Sequence, residues 1–439
     1  MRWDWATADD NALSVALRGC YLGEPTRGPL RGGRSVAVAK LHNYNPTKYG
    51  SQRNWLDGPV SRLSPYLRHG MLDVVEVRAH LQMVHRNEPE KIEEYLRQLA
   101  WRDFFDKVLD YYGDALADDL EEPKHNIQRS EALPTDIAAG ATGLPCMDGI
   151  LNELFDDGYL HNHARLWFAA YLTHFRGISW KTGARLFRQH LYDGDIASNS
   201  SSWQWVESTF SSKPYFMNRE NIARFSGNQW CSTCTVPCPF DASYETLQHR
   251  LFDQGRAPLG RTPLKVTVND SPLSPPERSE RTGPVNPSNT LVWVHDAALS
   301  PTNSACRNHP NATWAYVIDE PALQAEPWAF HRLAFVFDGV RELFQHQPSA
   351  EVLIGEPVEE LLALAKASNA TELHVSDHAN PWVRKTIEGL KPHLKVVVHP
   401  RPQLAEYTGE PRRFSKYWDK CAEQVLGYRP NRGSKKQHQ

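Results

Sequence analysis

The strongest constraint on this chain's fold is a change of period across a proline-rich stretch. From about residue 31 to 255 apolar residues recur at three- and four-residue spacing, as in Ile92–Tyr111 and Met147–Phe175, which is the repeat of amphipathic helices. No alternating strand pattern interrupts this region. Between 256 and 289, prolines at 258, 263, 272, 275, 276, 284 and 287 fall among Ser, Arg and Gly, the composition of a linker. After Ser288, short β-rich runs appear at Thr290–Val294, Trp314–Ile318, Glu351–Ile354, Glu372–Val375 and Leu394–Val398, separated by helical stretches at Phe330–Gln345 and Glu356–Lys366. Alternation of strand and helix builds βαβ units and a mainly parallel sheet. The expected fold is therefore multidomain: an N-terminal segment (1–30), an all-helical domain (31–255), a linker (256–289), a Rossmann-like, doubly wound parallel α/β domain (290–405) and a basic C-terminal tail (406–439).

A length of 439 residues supports two or three domains with cores of their own, and 40% hydrophobic with 23% charged residues is ordinary for a globular chain. No apolar run is long enough to span a membrane, and Met1-Arg-Trp-Asp-Trp lacks the apolar core of a signal peptide. A monomer in the cytoplasm is expected. The net charge of −3 does not argue for nucleic acid, although Glu410–Gln439 carries eight Lys/Arg against three Asp/Glu.

Two chemistries lie close together between Asp193 and Cys238. Cys231-x-x-Cys234-x-x-x-Cys238 offers three thiolates from one loop, a set suited to zinc or an iron–sulfur centre once a fourth ligand is found. Cys20, Cys306 and Cys421 read as ordinary thiols. Upstream, the hydroxyl- and glycine-rich stretch Tyr49–Leu67 precedes a helix and could present Ser61, Ser64 and backbone N–H groups to a pyrophosphate.

Taken in order, these segments resemble the photolyase/cryptochrome family. Tyr49 through Leu67 is similar to its flavin-binding stretch, with Val60 where a threonine is usual. Gln98-Leu-Ala-Trp101-Arg102-Asp103-Phe104, Thr142-Gly143-Leu-Pro145, Gly158-Tyr-Leu-His161-Asn162-His163-Ala-Arg165, Trp180-Lys-Thr-Gly183 and Asp193–Trp205 continue the likeness over roughly residues 44–226. The resemblance implies that FAD is held by Tyr49, Ser61, Leu63, Ser64, Arg102, Asn162, Arg165, Asp193 and Asp195, with Asn199 facing the flavin. It implies an electron path through Trp203 and Trp180; no tryptophan lies in 125–142 to extend it. Trp101 and Trp205 match positions that stack on a flipped-out lesion.

Gln98 replaces a glutamate of the repair enzymes; it can hydrogen-bond but supplies no proton. His161 could serve as a proton donor, as in repair of the (6-4) photoproduct. The resemblance to an iron–sulfur branch adds Cys146 to Cys231, Cys234 and Cys238 as ligands of a [4Fe–4S] cluster, with zinc as the alternative. The α/β region resembles the family's antenna domain, displaced from the front of the chain to its end by an apparent circular permutation. Val294-His295-Asp296 departs from the usual first-strand motif, so a bound antenna chromophore is an open expectation. Two functions follow: light-driven repair of UV-damaged DNA, with the cyclobutane dimer ahead of the (6-4) photoproduct, or a blue-light receptor that signals to a partner.

Overall fold

The computed structural model describes residues 2–125, 128–253 and 289–430, so the proline-rich linker lies almost wholly outside the described residues. The C-terminal region is built on a six-stranded sheet in the order β1-β6-β4-β3-β7-β8. Its strands are β1 (Arg2–Trp3), β3 (Thr290–Val294), β4 (Thr313–Asp319), β6 (Glu351–Gly355), β7 (Glu372–Ser376) and β8 (Lys395–His399). The last five pair in parallel, and β3 and β4 are buried almost throughout. Burial under helices on both faces explains why these strands read as apolar runs instead of alternating ones.

Two expectations need correction. Residues 1–30 are not a separate segment, because β1 pairs antiparallel with β6 (Arg2 opposite Leu353, Trp3 opposite Val352) and makes the sheet mixed. A second, two-stranded sheet joins β2 (Tyr21–Leu22) in parallel to β5 (Trp328–Ala329). Nor are residues 406–430 a solvated tail. Phe414–Leu426 is a helix that buries Phe414, Tyr417, Cys421, Val425 and Leu426, and it ends at Gly427 in the left-handed conformation. Tyr417 donates a hydrogen bond to buried Asp103 at 2.7 Å, which ties this helix to the Glu93–Tyr112 helix.

The helical region packs Glu93–Tyr112 against Ala197–Glu207, which packs in turn on Trp180–His190. The two regions share a polar seam. Arg68 pairs with Asp296 at the end of β3 (2.9 Å), while Arg68 and Arg332 both donate to the carbonyl of Gly194 (3.3 and 2.7 Å). Burial and neighbouring Arg68, opposed by Asp296, pull the Arg332 guanidinium down to about 9. Burial works against the charged form of Asp296, yet Arg68 and the flanking histidines hold it well below the usual carboxylate range. The α/β region thus grips the loop that carries Asp193 and Asp195.

Candidate functional site

A cavity of about 280 Å³ lies in the helical region. Tyr49, Ser61, Leu63, Ser64, Gln98, Trp101, Arg102, Asn162, Arg165, Asp193, Asn199 and Trp203 all line it, although they come from segments more than 150 positions apart. Four arginines (53, 62, 102 and 165) against one aspartate give the wall a positive balance, which fits a ligand that carries phosphates.

Arg165 and Asp193 meet at 3.0 Å, and Arg165 Nε also donates to the carbonyl of Leu160. Burial opposes both charges, but each partner's field prevails: the Asp193 carboxyl is lowered and the Arg165 guanidinium raised. Ser61 Oγ accepts from the hydroxyl of Tyr95 (2.9 Å) and from Leu63 N (3.3 Å), leaving its own proton for an acceptor in the cavity. Arg62 holds φ at +52°, with its guanidinium 5.0 Å from the centre of the Tyr159 ring. A non-glycine residue in the left-handed region is held there by its surroundings. Asn199 donates its amide N–H to the carbonyl of Ala184 (2.8 Å), so its Oδ1 acceptor is the atom left for the cavity. Gln98 is oriented in the same way, donating to Glu94 at 2.9 Å.

The tryptophans differ in their surroundings. Trp203 is buried against Phe187 (ring centroids 5.0 Å apart, 69°), and its indole N–H has no hydrogen-bond partner. Trp180 lies outside the cavity wall in the same core cluster and donates its N–H to Asp119 at 2.6 Å. Asp119 is a neighbour that no sequence pattern had indicated.

Several expected residues fall elsewhere. Asp195 lies behind the cavity wall, where its carboxylate accepts from the N–H groups of Ser198 and Asn199 and sits 3.6 Å from Arg102. Trp205 is 38% exposed and packs on Tyr215, off the cavity wall. His161 also lies off the wall; it caps the Asn162–Ala170 helix by accepting from His163 N, and burial, His163 and Arg165 push it down to about 4, so it is neutral at pH 7. Trp101 does line the cavity, but Phe414 of the C-terminal helix stacks on one face of its ring (centroids 3.8 Å apart, 11°). Phe414 lies among the basic residues of the C-terminal stretch, whose charge masks its apolar helix face in the sequence.

The four cysteines converge. Cys146, at the start of the Pro145–Asn152 helix, lines one small cavity with Cys231, Cys234, Cys238, Arg219 and Trp230. Burial, then Cys231 and Cys238, push the Cys146 thiol up to about 12, and burial raises Cys231 and Cys238 as well. Such crowding of thiols is relieved when a cation holds them as thiolates. A single tetrahedral zinc, with Zn–S near 2.3 Å, draws its sulfurs to within about 4 Å of one another. Among the described residues, the groups with ligand atoms all within 4.8 Å are two histidine-containing ones, and the cysteines are not among them.

A second cavity lies between the two regions, beyond the carboxyl ends of β3 and β4, with Arg68, Asp296, Asp319, Arg332 and Trp382 on its wall.

Comparison with known proteins bears on the first cavity. Residues 95–233 match the FAD binding domain of DNA photolyase. Curated relatives include deoxyribodipyrimidine photo-lyases of Streptomyces griseus (37% identical over 175 residues, 36% of this chain and 37% of the relative) and Halobacterium salinarum (29% over 227 residues, 48% and 47%). A cryptochrome DASH of Natronomonas pharaonis is 30% identical over 224 residues, 47% of each chain. The chain thus spans less than half the length of these relatives. Among solved structures it is similar to a Synechocystis cryptochrome, with a TM-score of 0.42 and 24% identity over 46% of each chain. The matched stretch supplies most of the cavity wall, including Arg102, Arg165, Asp193, Asn199 and Trp203.

Proposed function

We propose that this protein is a light-driven flavoprotein that repairs UV-induced pyrimidine dimers in DNA, the cyclobutane dimer ahead of the (6-4) photoproduct. The observation that carries this reading is the convergence of the Arg165–Asp193 pair, Asn199 and Trp203 on one cavity within a stretch that matches the FAD binding domain of DNA photolyase. Bound FAD supplies the photochemistry, absorbing blue light and exchanging an electron. The chain's residues do the rest. Tyr49, Ser61, Leu63, Ser64 and Arg102 would hold the phosphate region, Asn162 and the Arg165–Asp193 pair would orient the ring system, and Asn199 Oδ1 would accept a hydrogen bond from a ring N–H. Asp195 supports the site indirectly, by capping the Ala197–Glu207 helix.

Electrons enter through Trp180 and then Trp203. The Asp119 carboxylate stabilises positive charge on Trp180, whereas Trp203 has no such partner, so an electron vacancy runs away from the flavin. Cys146, Cys231, Cys234 and Cys238, which line one small cavity, would ligate a [4Fe–4S] cluster, with zinc as the alternative. The second cavity would take an antenna chromophore, and we read the order of the two regions as a circular permutation.

A blue-light receptor is the second reading, and the Phe414 stack on Trp101 favours it, because one of the two ring faces is already covered. The deciding experiment illuminates full-length protein with dimer-containing oligonucleotide, single- and double-stranded. Restored thymine supports repair; reversible flavin bleaching with no thymine restored leaves the receptor. Iron and flavin analysis with an anaerobic absorption spectrum tests the cluster, and zinc in place of iron would overturn it.

A further inference from the structure

Away from both cavities, three imidazoles meet on one face of the α/β sheet. His374 on β7 and His399 at the end of β8 point to the same side, because parallel pairing sets His374 opposite Val397 and Ser376 opposite His399. His309, which follows the Ser304–Asn308 helix, closes over them with its ring centroid 3.6 Å from that of His374. One ring nitrogen from each lies within 4.8 Å of the other two. His374 is 6% exposed. We infer that His309, His374 and His399 form a binding site for one divalent transition-metal ion of the zinc class.

The surroundings match what such a site needs. His374 Nδ1 faces His399 Nε2 at 2.9 Å, while its other nitrogen, Nε2, lies 3.3 Å from the carboxylate of Glu372. A ligating histidine commonly directs its second N–H at a carboxylate, which fixes the tautomer and strengthens the donor atom. With Zn–N bonds of about 2.0–2.1 Å, tetrahedral ligands sit a little over 3 Å apart, so His374 and His399 need to separate by only a few tenths of an ångström. Three imidazoles leave a fourth position for water. Imidazole donors suit zinc, copper and nickel, and exclude calcium and magnesium, which prefer oxygen.

The site also joins parts of the fold that contact the helical region. His399 accepts from Asp377 N through its carbonyl, and the adjacent Pro400 carbonyl accepts from Ser304. Arg401 then reaches Asp110 of the helical region and Asp377 of its own. An ion at the three histidines would fasten this corner from the α/β side. His125, His174 and Glu207 are the other close group among the described residues, but there Arg129 pairs with Glu207 through Oε1.

The competing account is a hydrogen-bond chain from Asn308 through His399 and His374 to Glu372, with no ion. Equilibrium dialysis of full-length protein against ZnCl2, followed by zinc and iron analysis, separates the two. Wild type should bind one more zinc equivalent than His309→Gln or His399→Gln, both only partly buried positions, at equal iron and flavin content. Glu372→Gln should weaken that zinc 10- to 100-fold. As a second measure, Zn2+ should raise the melting temperature of wild type and leave both histidine variants unmoved. Equal zinc stoichiometry and equal thermal response in wild type and both histidine variants would overturn the site, as would a zinc equivalent lost only in Cys231→Ser.

Discussion

Gly183 sets the position of Trp203, and Gly183→Ala should show by how much. A Cβ built there lies 2.2 Å from Trp203 Cη2, 2.4 Å from Cζ3 and 2.7 Å from Leu172 Cδ2. Carbon atoms settle at about 3.5–4.0 Å, so the indole edge must retreat by roughly 1.3 Å. Phe187 and Phe168 flank the ring and Trp203 is 2% exposed, so little room exists for that retreat. Two effects compete. Ala in place of Gly inside a helix stabilises by about 1 kcal/mol, whereas overpacking a closed core costs about 1–3 kcal/mol. With aromatic walls on both sides the upper part of that range applies, and the variant should be destabilised by about 1–2 kcal/mol net. Because the ring moves relative to the cavity, light-driven flavin reduction with an external reductant should slow as well.

The cycle with Trp203→Phe isolates the clash. Phe lacks the Cη2 and Cζ3 atoms of the indole, so Gly183→Ala in that background should keep its helical gain and stabilise by about 1 kcal/mol. A coupling energy of about 2–3 kcal/mol between the two sites follows. Stability would be read from urea unfolding followed by aromatic circular dichroism, and photoreduction from the loss of flavin absorbance. Should Gly183→Ala stabilise the wild-type background by about 1 kcal/mol with unchanged photoreduction, the claim that this glycine holds Trp203 in place is wrong.

Four further outcomes are expected. Asp193→Asn keeps the shape but leaves partly buried Arg165 without its counter-charge, a loss of about 1.5–3 kcal/mol; the flavin-to-protein absorbance ratio after gel filtration should fall sharply. Phe414→Leu should uncover Trp101 and tighten binding of a dimer-containing oligonucleotide about 10-fold, since stacking on an aromatic ring contributes about 1–3 kcal/mol per base; unchanged affinity would mean that this face of Trp101 is not used. Asp119→Asn should shorten the lifetime of oxidised Trp180 in transient absorption and lower the yield of photoreduction, because the amide removes a charge that is worth about 4 kcal/mol at 4 Å and an effective dielectric of 20. Burial pushes His69, His174 and His190 down to about 3 and His161 to about 4. Their folded-state values are depressed below 6.5, so the unfolded chain binds more protons: the stability they confer is complete above pH 6.5 and is lost as pH falls toward 3. Each contributes up to about 1.4 kcal/mol per pH unit in that window, and a melting temperature that stays flat from pH 6.5 to 4 would contradict the burial argument.

The parts of this molecule that were legible in its residues share one property: they are written in local pattern. Strand runs such as Thr290–Val294 match the observed element because burial on both faces demands a continuous apolar stretch. The cysteines could be grouped because few residue types do what a thiolate does, and three of them sit in one short loop. Partner choice between ordinary residues leaves no such trace. Arg2–Trp3 pairs with a strand 350 positions away through backbone groups that every residue carries. Phe414 reaches Trp101 because a helix with one apolar face found a complementary one, and its basic residues masked that face when charge alone was counted.

Asp119 and Trp180 are 61 positions apart and belong to no shared repeat. The three histidines are separated by 65 and 25 positions, and only the register of β7 with β8 turns two of them to the same side. A one-residue slip of that register would send His399 to the opposite face while leaving its sequence neighbours unchanged. Chemistry assembled by strand register is therefore visible only once the sheet is built, whereas chemistry assembled within a loop or a helix turn can be read beforehand.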